Sequence, residues 1–353
     1  MKIKDLCSYA PKSRIKAGEA VENAKYLFFT SSADENKRYT DFQFDKEAII
    51  MGTGGNATLH YYNGKFSVST DCLVLFPNSK IKCKYLYYFF KSHMSMLEAG
   101  FKGAGLKHTN KKYIEEINVS KVPDLSTQEK IVSHLDTITE NIEKLNREVE
   151  LFDSLTKARF IEMFGDPVSN SKHLPLKTLP QLGAFGRGVS KYRPRNAPEL
   201  LNGPYPLIQT GDIANSELYI KNYNNTYSEV GLKQSKMWDK GTLCITIAAN
   251  IAKTAILQFD ACFPDSVVGF NGNNLTNNIF VHYWFSFFQE ILENQAPESA
   301  QKNINLKILS ELQIITPDII EQNQFADFVQ QVDKSRFDIK KSITEIEREV
   351  VYD

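Results

Sequence analysis

The sequence predicts a mixed α/β fold of the α+β kind, written twice, with each globule followed by a long helix. Three observations predict it: two sustained heptad stripes, a motif shared by the two halves at a nearly constant offset, and strand-like stretches leading to an aromatic run in each half. With 353 residues, 42% of them apolar and 24% charged, the chain has material for two or three folded cores.

The first helix is the clearest element. From Gln128, residues Ile131, Leu135, Ile138, Ile142, Leu145, Val149 and Phe152 recur at alternating spacings of four and three, the a and d positions of a heptad. Ser126 and Glu129 form a capping box at its start, and Gly165-Asp166-Pro167 stops it. About 38 residues at 1.5 Å each span roughly 57 Å. A second stripe closes the chain through Phe325, Val329, Val332, Ile339, Ile343, Ile346 and Val350, with Arg336 the one polar intruder. A lone stripe is ordinarily core; two of this length are expected to pair with each other.

Both helices follow a similar preface. Pro123-Asp-Leu-Ser-Thr-Gln128 matches Pro317-Asp-Ile-Ile-Glu-Gln322 at an offset of 194 residues, and Lys107-His-Thr-Asn110 matches Lys302-Asn-Ile-Asn305 at 195. Asp71 falls on Asp265, and the aromatic runs Tyr85–Phe90 and Tyr283–Phe288 line up approximately. Strand-like stretches precede them at Ala48–Met51 and Phe66–Phe76, then at Thr242–Ala248 and Thr254–Phe259. The expected division is a globule over 1–125, a helix over 126–166, a globule over 167–317 and a helix over 318–353.

Charge is uneven beneath a neutral total. Segment 1–125 carries 19 basic and 13 acidic residues and 165–317 carries 13 and 12, whereas the helical segments 126–164 and 318–353 are net −3 and −4. Acidic rods repel phosphate, so any DNA contact is expected on the globules. Five scattered cysteines without a C-x-x-C pair argue against a disulfide framework or zinc ribbon and fit a reducing cytoplasm. No apolar run approaches the ~18 residues of a membrane span, and no signal-peptide core opens the chain. Walker A, H-E-x-x-H, G-x-S-x-G and G-x-G-x-x-G patterns are missing, as is the Asn-Pro-Pro-Tyr type of tetrapeptide. The expectation is a non-enzyme with neither catalytic nor metal residues.

Recognition candidates lie in the globules. Gly186–Arg195 holds Arg187, Lys191, Tyr192, Arg193 and Arg195 with no acid, a loop suited to phosphate or guanine, or simply a solvated one. Met51-Gly-Thr-Gly-Gly-Asn56, with Gly54 and Asn56, brings amides toward a phosphate or makes a hairpin turn. Lys102, Lys107, His108, Asn110, Lys111 and Lys112 form a second basic patch, with Gln301, Lys302 and Asn303 as its counterpart. Gln209 and Thr210 follow a strand-like Pro206-Leu-Ile and stand at a rim or in a plain turn.

Pro206-Leu-Ile-Gln-Thr-Gly-Asp-Ile213, Gln301-Lys-Asn-Ile-Asn305, the two Pro-x4-Gln prefaces and Phe160-Ile-Glu-Met-Phe-Gly-Asp-Pro167 together resemble the specificity (S) subunit of Type I restriction-modification systems. The resemblance implies two target recognition domains, each reading part of a split double-stranded DNA sequence. It also implies two antiparallel helices that hold them apart and dock two methyltransferase (M) subunits. Those subunits would bind S-adenosylmethionine for adenine N6 methylation, and restriction (R) subunits would use ATP and Mg; no cofactor belongs to this chain. The first globule departs from the second: it is shorter, and its Leu27–Ser32 only loosely matches Pro206–Ile213. Rival readings are an enzyme with an unrecognised site, a coiled-coil scaffold without DNA, and an orphan subunit lacking partners.

Overall fold

A computed structural model describes residues 1–103, 105–248, 251–295 and 304–352, with backbone alone at 290–295 and 349–352. Contacts divide the chain into two compact units, Met1–Leu145 with Ser342–Asp353, and Asn146–Lys341. Each long helix is therefore shared between units.

The first unit begins with α1 (Ile3–Leu6) and β1 (Cys7–Tyr9), then β2 (Tyr26–Phe29), β3 (Arg38–Tyr39), β4 (Phe44–Gly52), β5 (Leu59–Val68) and β6 (Cys72–Pro77). These strands form one sheet in the order β1-β6-β4-β5-β2-β3, antiparallel except at β2–β5. The central run Ala48-Ile-Ile-Met51 is buried on both faces and shows the two-residue period of a strand. Ile49 and Met51 join the core beneath α2 (Cys83–Ser92), α3 (Met94–Glu98) and α4 (Lys111–Glu116), while Ala48 and Ile50 meet Phe29, Phe66, Val68 and Val74 on the other side. The strand-like stretch Phe66–Phe76 is in fact two strands. Ser69, Thr70 and Asp71 turn between them, and the Cys72 amide donates to the Ser69 carbonyl.

α5 (Leu125–Phe164) leads into the second unit. There β7 (Leu176–Thr178), α6 (Leu179–Leu182), β8 (Gly183–Arg187), β9 (Leu201–Leu207), α7 (Thr210–Ala214), β10 (Tyr219–Ile220), β11 (Asn225–Tyr227), α8 (Glu229–Lys233) and β12 (Met237–Trp238) precede the main strands. Those are β13 (Leu243–Thr246), β14 (Thr254–Leu257), β15 (Ala261–Cys262) and β16 (Val267–Gly272), followed by α9 (Asn278–Gln295), α10 (Leu306–Glu311), β17 (Gln313–Ile315) and α11 (Ile319–Tyr352). In the main sheet, β8-β16-β13-β14-β10, the first four strands repeat the order β1-β6-β4-β5, and β10 runs parallel to β14. A second sheet, β11-β9-β15-β12, contains a further parallel pair at β15–β9. The mixed α/β, duplicated architecture read from the sequence is the one observed.

The repeat also reaches where its sequence signal is faint. Phe29 pairs with Val68 in one unit and Leu207 with Cys262 in the other, and Val68 and Cys262 stand one repeat apart. Leu27–Ser32 thus occupies the register of Tyr205–Thr210. The loose match reflects substitution within a retained backbone position.

Each long helix starts on the same joint. Asp124 caps α5: its Oδ1 accepts from the Thr127 amide at 2.9 Å and its Oδ2 from the Thr127 hydroxyl at 2.9 Å. The cap is thus two residues before Ser126, and the expected Ser126–Glu129 box is replaced by it. Asp318 does the same for α11 through the Ile320 amide. Gln128 and Gln322, both wholly buried, tie these starts to the loop preceding the aromatic helix in their own units.

Along the stripes Leu135, Ile138, Ile142, Leu145, Val149, Ile339 and Ile346 are half-buried, and Val332 and Ile343 are buried. Ile131 is the exception at 37% exposed, because the globule-facing positions there are Gln128 and Asp136, offset from the heptad. In the second unit Phe160 and Phe164 of α5 pack on Phe325 of α11, while Asp153 meets Arg336. Rising numbers on one helix meet falling numbers on the other, so these segments run antiparallel. All five cysteines are buried and free. No helix among the described residues is long and apolar enough to cross a membrane.

Candidate nucleic-acid interface

In the first unit the β4–β5 hairpin and the loop after α3 build one rim. The Gly55 amide donates to the Lys107 carbonyl at 2.9 Å, Thr109 to Thr53 at 3.0 Å, and Lys102 and His108 exchange two bonds of 3.0 Å. This brings Asn56, Lys102, Lys107 and His108, all exposed, to one edge of the sheet. Gly54 has a different role from the one expected. It is buried, and a Cβ there would stand 3.1 Å from the His108 ring, so the glycine is the space over which the imidazole lies.

The amides of Gly52, Thr53, Gly54 and Gly55 are already engaged within the protein. Gly52 donates to Thr58, Thr53 to Asp71 and the Ser31 hydroxyl, and Gly54 to the same hydroxyl at 3.2 Å. The hairpin-turn alternative is therefore the observed one. Asn110 is engaged as well, its Oδ1 accepting from the Tyr113 amide to cap α4. Asn305 caps α10 in the same way, and the Ile304 amide donates to Ile247 as Thr109 does to Thr53. The Lys107–Asn110 and Lys302–Asn305 match therefore marks a repeated helix start. Gln301, Lys302 and Asn303 lie outside the described residues.

Sequence reading missed the polar group behind this rim. Lys37 Nζ donates to the Thr30 and Ser32 hydroxyls, both at 3.1 Å, and Glu35 lies 3.0 Å from His60 Nδ1. Short hydroxyl residues carry no charge or glycine signal. Ser32 shares its register with Thr210, and Ser31 with Gln209.

In the second unit the arginine loop follows β8. Lys191 and Tyr192 donate their amides to Gln234 Oε1, and the Tyr192 hydroxyl donates to Glu199 at 2.9 Å. The acid absent from the loop itself comes from Asp265, which pairs with both Arg193 and Arg195. Arg187 and Lys191 are exposed and have no ion pair among the described residues. Gln209 and Thr210 sit on a separate loop after β9, where the Gln209 amide donates to Asp212 Oδ2 at 2.8 Å to open α7. No group of three or more potential metal ligands occurs among the described residues.

His282 of α9 lies beneath this sheet with Nδ1 2.9 Å from the Thr254 hydroxyl, and burial pushes its pKa down to about 4. The unfolded chain takes up that proton near pH 6.5 and the folded one only near 4. The histidine's contribution is therefore complete above about pH 6.5 and is lost as pH falls toward 4, to a limit of about 3 kcal/mol. Urea midpoints measured from pH 7 to 4.5 should fall less steeply for His282→Gln than for the wild type; parallel curves would remove His282 as the cause.

Two sheets with four strands in the same order, each leading into a long helix, define a duplicated α/β architecture. The sequence profile of the Type I restriction modification DNA specificity domain matches residues 1–151 and 181–348, and the chain belongs to that family. Its role is DNA sequence recognition, without catalysis of its own. The chain is similar to the EcoDI Type I restriction enzyme specificity subunit of Escherichia coli, at 21% identity covering 90% of this chain and 78% of that one. It is 33% identical to a putative type I specificity subunit of Mycoplasma pneumoniae over 145 residues, 38% of this chain and 55% of the relative. Among solved structures, the S subunit of a Type I restriction-modification system from M. genitalium shares the fold, with a TM-score of 0.63 and 16% identity over 99% of this chain and 93% of that one. A chain from a study of complex assembly and conformational transition in the type I R-M system gives 0.56 at 14% identity, covering 99% and 95%.

Proposed function

We propose that the chain reads a split, asymmetric DNA target, one part with each unit, and addresses two methyltransferase subunits to it in the cytoplasm. The observation that carries this reading is the strand order repeated in the two units, each leading into a long helix. The unread spacer is assigned to the long helices, because the 40 residues of α5 at 1.5 Å each, about 60 Å, exceed one ~34 Å turn of DNA. The helices are acidic and carry exposed Leu151, Leu155 and Phe337, a composition suited to protein docking rather than phosphate. S-adenosylmethionine and the flipped adenine belong to the methyltransferase subunits, and ATP and Mg to restriction subunits where these join.

Methylation-aware long-read sequencing of host DNA, with the gene intact and deleted, tests this. A split motif bearing N6-methyladenine should vanish on deletion; a motif that persists without the gene overturns the reading.

Within the second unit, Arg187→Ala with Lys191→Ala should weaken DNA binding and flatten its logarithmic salt dependence by about 1 to 2. Arg193→Ala with Arg195→Ala should do less, because Asp265 already neutralises part of that charge. Titrations at two or more salt concentrations check both, and equal slopes in all three proteins would make the loop a spectator.

A further inference from the structure

Arg336 occupies a heptad position between Val332 and Ile339 of α11, yet its side chain is only 8% exposed. One Nη reaches Asp153 of α5 at 2.5 Å and the other lies 3.4 Å from Glu217. Lys340, one turn further along α11, also pairs with Glu217, and Lys221 lies 3.8 Å from Asp333. Glu217 does not belong to the helices; it stands between α7 and β10 of the recognition globule.

The contacts continue toward the reading rim. The Ser216 hydroxyl donates to the Asp212 carbonyl at 2.7 Å, while the Asp212 carboxylate accepts from the Gln209 amide and from Asn224 Nδ2. A line of ionic, hydrogen-bonded and covalent links therefore runs from both helices to Gln209 and Thr210. Beside it, Val332, Asp333, Tyr283 and His282 help to line a cavity of about 260 Å³, so tight apolar packing does not fill this part of the junction.

An apolar residue at position 336 would spare the desolvation of a guanidinium in the seam. What arginine adds is direction, because its planar fork binds two carboxylates at set angles. The repeat counterpart of Arg336 is Ile142, so the first unit has no such device at that place. We propose that Arg336 is a positioning residue: through Glu217 it sets the angle of the Gln209–Thr210 segment on the helices, and thereby the spacer length at which the second part of the target is accepted. This rests on the split-target reading above.

The test uses the full chain with its methyltransferase partner in cells, on a plasmid library in which the two parts of the target are separated by varied spacers. Arg336→Met keeps an unbranched apolar stem in the seam and leaves Glu217 with Lys340, so the fold should persist, as helical circular dichroism and the melting temperature will report. The wild type should favour one spacer. Arg336→Met should read the same bases while methylating spacers one base pair longer or shorter at least tenfold more often, and Arg336→Lys should fall between. Glu217→Gln weakens the link from the globule side without touching either helix, and should broaden spacer choice in the same direction.

A folded Arg336→Met protein with wild-type spacer selectivity overturns the proposal. If Arg336→Met fails to fold, unchanged selectivity in Glu217→Gln overturns it instead. A wild type that yields no split motif overturns the underlying function, a result distinct from a wild-type motif with unaltered variants.

Discussion

Phe160→Ala is expected to destabilise the second unit by about 3–5 kcal/mol, the range for emptying a buried aromatic site. The ring is wholly buried, stacks on Phe280 at 5.3 Å and meets Phe164, Phe287 and Phe325 between 5.0 and 5.3 Å. It is where the end of α5, the aromatic helix α9 and the start of α11 converge. The surrounding rings are rigid and held by several elements, so collapse into the vacated space is limited. Urea unfolding followed by circular dichroism should show the loss. Phe152→Ala, at a half-buried position of the same helix, should lose less than half as much. Equal losses would mean that the Phe160 site relaxes around the gap.

The second large effect is expected at Gln322. Its Oε1 accepts from the Thr276 hydroxyl at 2.9 Å and the Asn277 amide at 3.0 Å, while Nε2 donates to the carbonyls of Leu275 and Pro317 at 3.0 and 2.9 Å. Gln322→Ala strands two donors and two acceptors at a buried joint, for about 3 kcal/mol in all. Gln322→Glu should be nearly as damaging despite its matched shape, because a carboxylate cannot donate to either carbonyl. At the equivalent joint Gln128 accepts from the Lys82 amide at 2.7 Å and donates to Pro123 at 2.8 Å and Lys80 at 3.3 Å. Gln128→Ala should therefore be somewhat milder. Thermal melts of the three variants check this order, and a Gln322→Glu protein as stable as the wild type would break the argument.

These two sites show what was legible in the sequence. The Pro-x4-Gln preface was visible as a repeated pattern, but apart from the proline carbonyl five residues back the glutamine's partners lie in loops 45 to 48 residues upstream, beyond any local signal. The helices were legible because their period spans several turns. The second unit's four-stranded sheet was not: β11, β12 and β15 are two or three residues long, too short to establish a period. At the candidate interface, charge and glycine drew attention to Gly54 and to the arginine loop. The structure assigns Gly54 to clearance for His108 and gives Arg193 and Arg195 an acidic partner, while Ser31, whose hydroxyl holds two loop amides, carried no such signal. Composition indicates which residues are able to bind DNA, but tertiary contacts decide which of them are still free to do so.

The concealed cysteines decide how the folded chain meets oxidants and electrophiles. Burial pushes the Cys7 thiol up to about 12 and Cys72 to about 11, and raises Cys83, Cys244 and Cys262 as well. Thiolate is the nucleophilic form, so the folded protein offers almost none of it to peroxide or electrophiles. Cys7, Cys72 and Cys83 lie in one unit and Cys244 and Cys262 in the other. Covalent capture at any of them therefore requires its own unit to open, and the residue that reacts records which half of the molecule came apart.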